Sequence, residues 1–207
     1  MKKPDFKSLV AALKDREEKL VELNAGLNPM EGKYHKTACN NCFAQYPLEQ
    51  AKAFSFKCIK CGSQIKRGVR DRIEMLADTK TGVHPKFRPP YIHLLPLAEI
   101  IQLAFGMANP NSQKVQSTWK DFIERFGNEI KILVDVKAEE LAEVDAAVAK
   151  KINSFRNGLV TYIPGGGGKY GTPIICDSIE ELLQKQKEIE QNANESELKG
   201  QKSLLEF

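Results

Sequence analysis

Apolar residues recur at helical spacing along much of the chain, and short turn-rich or alternating stretches separate these segments. Near the N-terminus the spacing of Phe6, Leu9 and Leu13 predicts a helix over residues 5–18. An alternating stretch over 20–24 predicts a short strand that ends before Gly26. A single helix and strand bury little surface, so this segment is typical of the end of another domain or of a docking element.

The second half of the chain predicts an α/β body, in which apolar stripes alternate with short apolar runs. The expected helices cover residues 96–105, 112–126 and 145–157. The expected strands cover residues 130–134, 159–163 and 172–176. A capping box at Ser178–Glu181 begins a last helix, which should end near Gln191. The polar stretch over 192–200 has almost nothing apolar to bury, and it is expected to be disordered.

Four cysteines form two C-x2-C pairs, with fifteen residues between the pairs. This spacing lets both sulfurs of one turn face one ion, and two such turns complete a tetrahedron of thiolates around zinc. Disulfides or unrelated buried thiols are the alternatives, but the chain shows no secretory signal, which disfavours an oxidised framework and favours the cytoplasm. The prediction is one structural zinc ion per chain without an open position for catalysis. Its ligands are Cys39, Cys42, Cys58 and Cys61.

Positive charge is concentrated around these cysteines. Residues 33–72 contain nine lysines and arginines and two acids, so this stretch has a charge of +7. Because the net charge of the whole chain is +4, the rest of the chain has a charge of −3. A compact basic module on a slightly acidic body indicates a nucleic-acid surface, and ordinary solvated lysines are the alternative. The candidate DNA-binding residues of the module are Lys33, His35, Lys66, Arg67, Arg70 and Arg72.

A glycine-rich loop lies between the last two predicted strands. Successive glycine amides can converge on an anion, a lysine adds charge, and a tyrosine can stack on a base. A flexible hairpin loop is the alternative. The candidate DNA-binding residues of this loop are Gly165, Gly166, Gly167, Gly168, Lys169 and Tyr170.

The C-terminus matches the spacing of a sliding-clamp-binding peptide. Gln201 is followed by Leu204 and Phe207, and a short helical turn would place the two apolar side chains on one side, where they fit an apolar pocket. The usual aromatic pair is reduced here to the single Phe207. An ordinary tail with a few apolar residues is the alternative.

A series of motifs follows a fixed order along nearly the whole chain. It comprises residues 24–29, 32–35, the two cysteine pairs, 68–72, 88–93, 96–101, 126–130 and 164–171. In this order the motifs resemble the archaeal endonuclease Q family of DNA-repair enzymes. The resemblance implies an enzyme that nicks DNA on the 5′ side of deaminated bases, such as uracil and hypoxanthine, and at abasic sites.

The same resemblance implies three parts: a metal-dependent phosphoesterase domain of the PHP type, then the zinc module, then a C-terminal DNA-binding region, which in some members ends in a clamp-binding peptide. The PHP domain holds the hydrolytic metals and should lie ahead of Phe6. The resemblance therefore gives this chain zinc ligands and a DNA-binding role but no catalytic residue. A naturally split enzyme with a PHP partner subunit and a truncated chain are both open.

The predicted fold class is α+β, in four parts. They are a remnant or docking element of a PHP domain over 1–31, a zinc-binding module over 32–80, an α/β DNA-binding domain over 86–177, and a helix with a flexible clamp-binding tail over 178–207. The first functional hypothesis is the lesion-recognition part of an endonuclease Q-like enzyme, with DNA, a PHP subunit and the sliding clamp as partners. The second is a non-catalytic DNA-binding adaptor tethered to the clamp, and a third is an RNA-binding zinc-ribbon protein. No apolar run approaches the ~20 residues of a membrane span, so no membrane partner is expected.

Overall fold

The computed structural model describes residues 5–14 and 21–202, with side chains through Asn192. In chain order its elements are α1 Phe6–Lys14, β1 Asn24–Gly26, a 3-10 turn Pro29–Glu31, β2 Ala38–Cys39, α2 Leu48–Ala53, β3 Ile65–Lys66, α3 Val69–Leu76, β4 Tyr91–His93, α4 Leu97–Ala104, α5 Gln113–Phe126, α6 Glu129–Val134, α7 Ala138–Ala142, α8 Ala146–Arg156, β5 Val160–Ile163, β6 Thr172–Ile175 and α9 Ile179–Lys202. This mixture of helices and small sheets confirms the predicted α+β class. Within the described residues, no helix is long and apolar enough to cross a membrane.

The chain forms two compact units, and the smaller one consists of the described residues of 1–28 and 77–94. In it β1 and β4 pair in parallel, with Asn24 opposite Tyr91 and Gly26 opposite His93. The predicted strand over 20–24 is therefore displaced, because the paired residues are Asn24–Gly26. The first described helix agrees with the predicted helix over 5–18 as far as Lys14.

The larger unit consists of residues 29–76 and the described residues from Leu95 onwards. It contains both cysteine pairs and most of the predicted α/β domain over 86–177, but residues 86–94 belong to the smaller unit. Its main core lies among α4 to α8, where apolar side chains at helical spacing face inward. The fully buried members of this core include Leu97, Ile100, Ile101, Val115, Phe122, Ile132, Leu141, Val148 and Ile152. The four-part division of the chain stays a prediction.

The strand predicted over 130–134 is wrong, because these residues form the helix α6. β-branched residues favoured a strand in the sequence, but Asn128 begins a helix here: its side-chain oxygen accepts a hydrogen bond from the Lys131 amide at 2.9 Å. The helix also buries Ile132 and Leu133. The Arg156 guanidinium then donates to the carbonyls at its end, including that of Ile132 at 2.6 Å.

The hairpin of β5 and β6 is confirmed, with Val160 opposite Ile175 and Ile163 opposite Thr172. The following helix begins at the predicted capping box, where the Ser178 hydroxyl accepts a hydrogen bond from the Glu181 amide at 3.2 Å. This helix continues to Lys202, beyond the predicted end near Gln191. Its extension is rich in strong helix formers and contains no proline, so local propensity favours it although little apolar surface is available.

Candidate metal centre and nucleic-acid interface

The four predicted zinc ligands lie together in the larger unit. The Sγ atoms of Cys39 and Cys61 are 3.5 Å apart, and those of Cys42 and Cys58 are also 3.5 Å apart. All four sulfurs lie within 4.8 Å of one another. Zinc–sulfur bonds of about 2.3 Å in a tetrahedron put sulfurs about 3.8 Å apart, so these thiols can hold one metal ion and fit the size of tetrahedral zinc.

Each cysteine pair is followed by a residue with a left-handed backbone conformation. Gly62 follows the second pair with φ of 71°, and Phe43 follows the first pair with φ of 58°. Glycine adopts this conformation freely, whereas phenylalanine does so at a cost. The strained Phe43 is therefore held by the fold of the turn, including the hydrogen bond that Cys39 donates to the Ala44 carbonyl at 2.9 Å.

Hydrogen-bond donors favour thiolates at two of the four sulfurs, those of Cys58 and Cys61. The buried Tyr46 hydroxyl lies 3.1 Å from Sγ of Cys58, and burial raises the pKa of Tyr46, so this hydroxyl stays protonated and can donate. Hydrogen bonds from Ser63 lower the pKa of Cys61 to about 6. Tyr46 is not among the predicted site residues, because the sequence around it indicates only an aromatic residue of the hydrophobic core.

The helix α3, which carries Arg70 and Arg72, is fixed to the rest of the cysteine module, which we define as residues 32–76. Thr37 is fully buried; its hydroxyl bonds to the Asp71 carboxylate and accepts a hydrogen bond from the Gly68 amide at 2.7 Å. A Cβ on Gly68 would lie 2.5 Å from the His35 carbonyl oxygen, so only glycine fits this crossing of two backbones. These contacts give the basic helix a fixed position on the module.

The structure divides the glycine-rich loop into two halves. Gly165, Gly166 and Gly167 are buried against the cysteine module, where the Lys36 amide donates to the Gly165 carbonyl at 2.8 Å. A Cβ on Gly167 would lie 2.1 Å from the carbonyl oxygen of Cys39. These three predicted DNA-binding glycines therefore pack against protein, and their DNA contacts stay a prediction.

The second half of the loop is exposed and lies beside basic residues of the module. Gly168, Lys169 and Tyr170 are all exposed. The Nζ atom of Lys33 lies 5.7 Å from the Tyr170 ring centroid and 5.5 Å from that of Tyr34. The fold thus brings predicted residues of the module and of the loop to one surface, although more than 130 positions separate them in sequence.

The remaining predicted cations of the module are exposed too. The Arg67 guanidinium lies 5.5 Å from the Phe56 ring centroid, and Arg70 forms an exposed ion pair with Glu74 at 3.0 Å. Burial, and then the charges of Lys36 and Arg70, lower the pKa of the half-buried His35. This histidine is therefore neutral at neutral pH, and it can meet a phosphate only as a hydrogen-bonding group.

The clamp-binding peptide extends past the described residues. Gln201 lies in the last turn of α9. Leu204 and Phe207 lie outside the described residues, so the clamp-binding prediction stays a prediction.

The helical region of the chain matches a known family model. The family model described as the MJ0043 C-terminal domain matches residues 96–159, which contain α4 to α8. The chain is 46% identical over 167 residues to the uncharacterized protein MJ0043 of Methanocaldococcus jannaschii, and 32% identical over 169 residues to the uncharacterized protein YqxK of Bacillus subtilis. Each match covers 81% of this chain, but only 21% of MJ0043 and 39% of YqxK.

Two solved structures of endonuclease Q are similar to this chain. A crystal structure of the lesion-specific endonuclease PfuEndoQ from Pyrococcus furiosus is 44% identical to this chain, with a TM-score of 0.72. A crystal structure of endonuclease Q in complex with a 27-mer duplex that carries an abasic lesion at the active site is 46% identical, with a TM-score of 0.78. Both matches cover 88% of this chain and less than half of the other, at 46% and 45%. The chain is thus similar to endonuclease Q over most of its described length.

Proposed function

We propose that this chain is the DNA-binding, lesion-recognition part of an endonuclease Q-like repair enzyme, which nicks DNA 5′ of deaminated bases or at abasic sites. The observation that carries the proposal is the 46% identity over 88% of the chain to an endonuclease Q bound to duplex DNA. The exposed basic surface of the cysteine module supports it, because clustered lysines and arginines displace counterions from phosphates. The expected compartment is the cytoplasm.

The metal of the cysteine module is proposed to be zinc in a structural role. Four sulfur donors close a tetrahedral shell, so water has no place on the ion and hydrolysis cannot occur there. Within the residues that the structure describes, this is the one group of three or more His, Cys, Asp or Glu side chains arranged to hold a metal. The hydrolytic metals of the proposed enzyme are therefore assigned to a PHP-type domain outside the described residues.

Reversal of two exposed charges tests the DNA-binding surface. Arg67→Glu combined with Arg72→Glu should weaken duplex binding by roughly 1–3 kcal/mol and reduce its salt dependence, because phosphate contacts are lost. Fluorescence anisotropy across a salt series measures both effects. The melting temperature should be unchanged, since both side chains are exposed.

Lys120→Glu combined with Lys131→Glu is the matched control, because it changes the net charge equally on α5 and α6. This control should retain most of the affinity. If both pairs weaken binding equally, total charge explains the effect, and the cysteine module is not the DNA surface.

The C-terminal peptide is proposed to bind the sliding clamp, with Leu204 and Phe207 as apolar anchors. Such a short contact should give micromolar affinity, a binding free energy on the order of −8 kcal/mol. The contact would raise the local concentration of the DNA-binding body near DNA that carries a clamp. Leu204→Ala combined with Phe207→Ala should abolish capture by the clamp in a pull-down and leave binding to free DNA unchanged. Equal capture of this variant, of Ser203→Ala as control and of the original chain would refute the peptide's role.

A further inference from the structure

Two exposed tyrosines share one lysine on the face that joins the cysteine module to the glycine-rich loop. Tyr34 is 40% exposed and Tyr170 is 67% exposed. The Lys33 Nζ atom lies within 5.7 Å of both ring centroids, and the Lys66 Nζ atom lies 5.9 Å from the Tyr34 centroid. We infer that these four side chains, here called the tyrosine platform, prefer single-stranded or locally unpaired DNA to intact duplex, because the two rings stack on unpaired bases and the two ammonium groups contact the backbone. This inference rests on the proposed function and assigns a specificity to its surface.

The exposure of these rings separates them from the tyrosines that build the fold. Tyr46 and Tyr162 of the same unit are only 8% and 5% exposed. A tyrosine that serves packing buries its ring, whereas the platform tyrosines leave ring surface open to solvent. Two open rings beside two ammonium groups form the combination of stacking surfaces and positive charge that binds single strands.

The backbone holds the platform in place before any ligand arrives. The Tyr34 carbonyl accepts a hydrogen bond from the Val69 amide at 2.8 Å. On the loop side, the amides of Gly168 and Gly171, which flank Tyr170, donate to the carbonyls of Lys33 and Glu31, each at 2.9 Å. Both rings therefore extend from segments that are bonded to each other, and stacking costs little further ordering of the backbone.

The preference for unpaired bases follows from the geometry of DNA. In an intact duplex, neighbouring base pairs cover the faces of each base, so an external ring can meet only the backbone, and Lys33 and Lys66 would contribute equally to any DNA of similar charge density. An unpaired base exposes its face, and a tyrosine ring can cover it with little dependence on sequence. The rings should therefore add affinity only where the helix is open, such as opposite an abasic site.

Ring-specific variants of the whole chain test the platform on three labelled DNA molecules of one sequence: a single strand, an intact duplex and a duplex with one abasic site. Tyr34→Leu combined with Tyr170→Leu should lower affinity for the single strand by about tenfold or more, lower affinity for the abasic duplex less, and leave the intact duplex within about twofold. Tyr34→Phe combined with Tyr170→Phe retains both rings and should bind like the original chain. Anisotropy at one ionic strength measures all three, with melting curves to verify folding.

The outcomes separate the platform from the proposed function. A loss confined to unpaired DNA and rescued by phenylalanine supports the platform. An equal loss on all three molecules, or no loss on the single strand, overturns it and leaves the proposed DNA-binding function standing. Failure of the original chain to bind any of the three would instead refute the proposed function, and the platform with it.

Discussion

Replacement of Cys58 by serine is expected to abolish metal binding and to unfold the cysteine module. Cys58 and Cys39 are the two buried cysteines of the cluster. The small core around them buries only Tyr46, Ala51 and Ile65 besides, with three partly buried apolar residues packed against it. Structural zinc contributes on the order of 10 kcal/mol in small modules, which is comparable to the whole stability of a typical domain. A core this small cannot fold without that contribution.

Elemental analysis and thermal unfolding measure the effect. The original chain should contain one zinc ion, and Cys58→Ser should contain none and lose its cooperative transition in this region. Cys176→Ala is the matched control, because Cys176 is fully buried but lies outside the cluster. It should keep its zinc, whatever it loses in packing. A folded, reduced original chain without zinc, or a Cys58→Ser variant that retains zinc and stability, would contradict the metal assignment.

Gly167→Ala should destabilise the larger unit by about 2–4 kcal/mol. The residue has φ of 66°, which costs alanine about 1 kcal/mol, and a Cβ would lie 2.1 Å from the Cys39 carbonyl oxygen, so the backbone of the module or the loop must shift. If Gly167 contacted DNA, as the composition of its loop predicts, the substitution would instead lower DNA affinity and keep stability. The buried position of Gly167 reverses that expectation.

Gly106→Ala separates backbone strain from the clash. Gly106 has a similar φ of 62°, but no atom lies within 4 Å of its Cβ position. This control should lose only about 1 kcal/mol, the cost of the left-handed backbone. Chemical denaturation of both variants gives the two free energies of unfolding. Equal losses of unfolding free energy in the two variants would show that the glycine-rich loop does not pack tightly against the cysteine module.

The parts of the fold that the sequence predicts are those with local causes. The two cysteine pairs and the hairpin depend on residues close in sequence. So does the start of the predicted helix over 145–157, where Oδ1 of Asp145 accepts a hydrogen bond from the Val148 amide at 2.9 Å. The helix at Glu129–Val134 was missed because one capping side chain, Asn128, outweighs the strand preference of the residues that follow.

The candidate site was predictable in composition but not in arrangement. Lys33 and Tyr170 were each assigned to DNA from charge and loop chemistry, but nothing local indicates that they meet. Their contact depends on the pairing of Lys36 with Gly166, a long-range bridge that packs the loop on the module. Tyr34 was missed for the same reason, since its ring gains a role only beside Tyr170 and the two lysines.

We propose that this chain binds DNA and depends on another domain for cleavage. Incubation of the zinc-loaded chain with a labelled duplex that carries an abasic site or uracil, with added Mg²⁺ or Mn²⁺, tests both parts in one gel: a native lane reports binding and a denaturing lane reports nicking. We expect a shifted complex that weakens steeply as salt rises, with every strand intact. Absence of a complex at low salt, or a nick made by this chain alone, would contradict it.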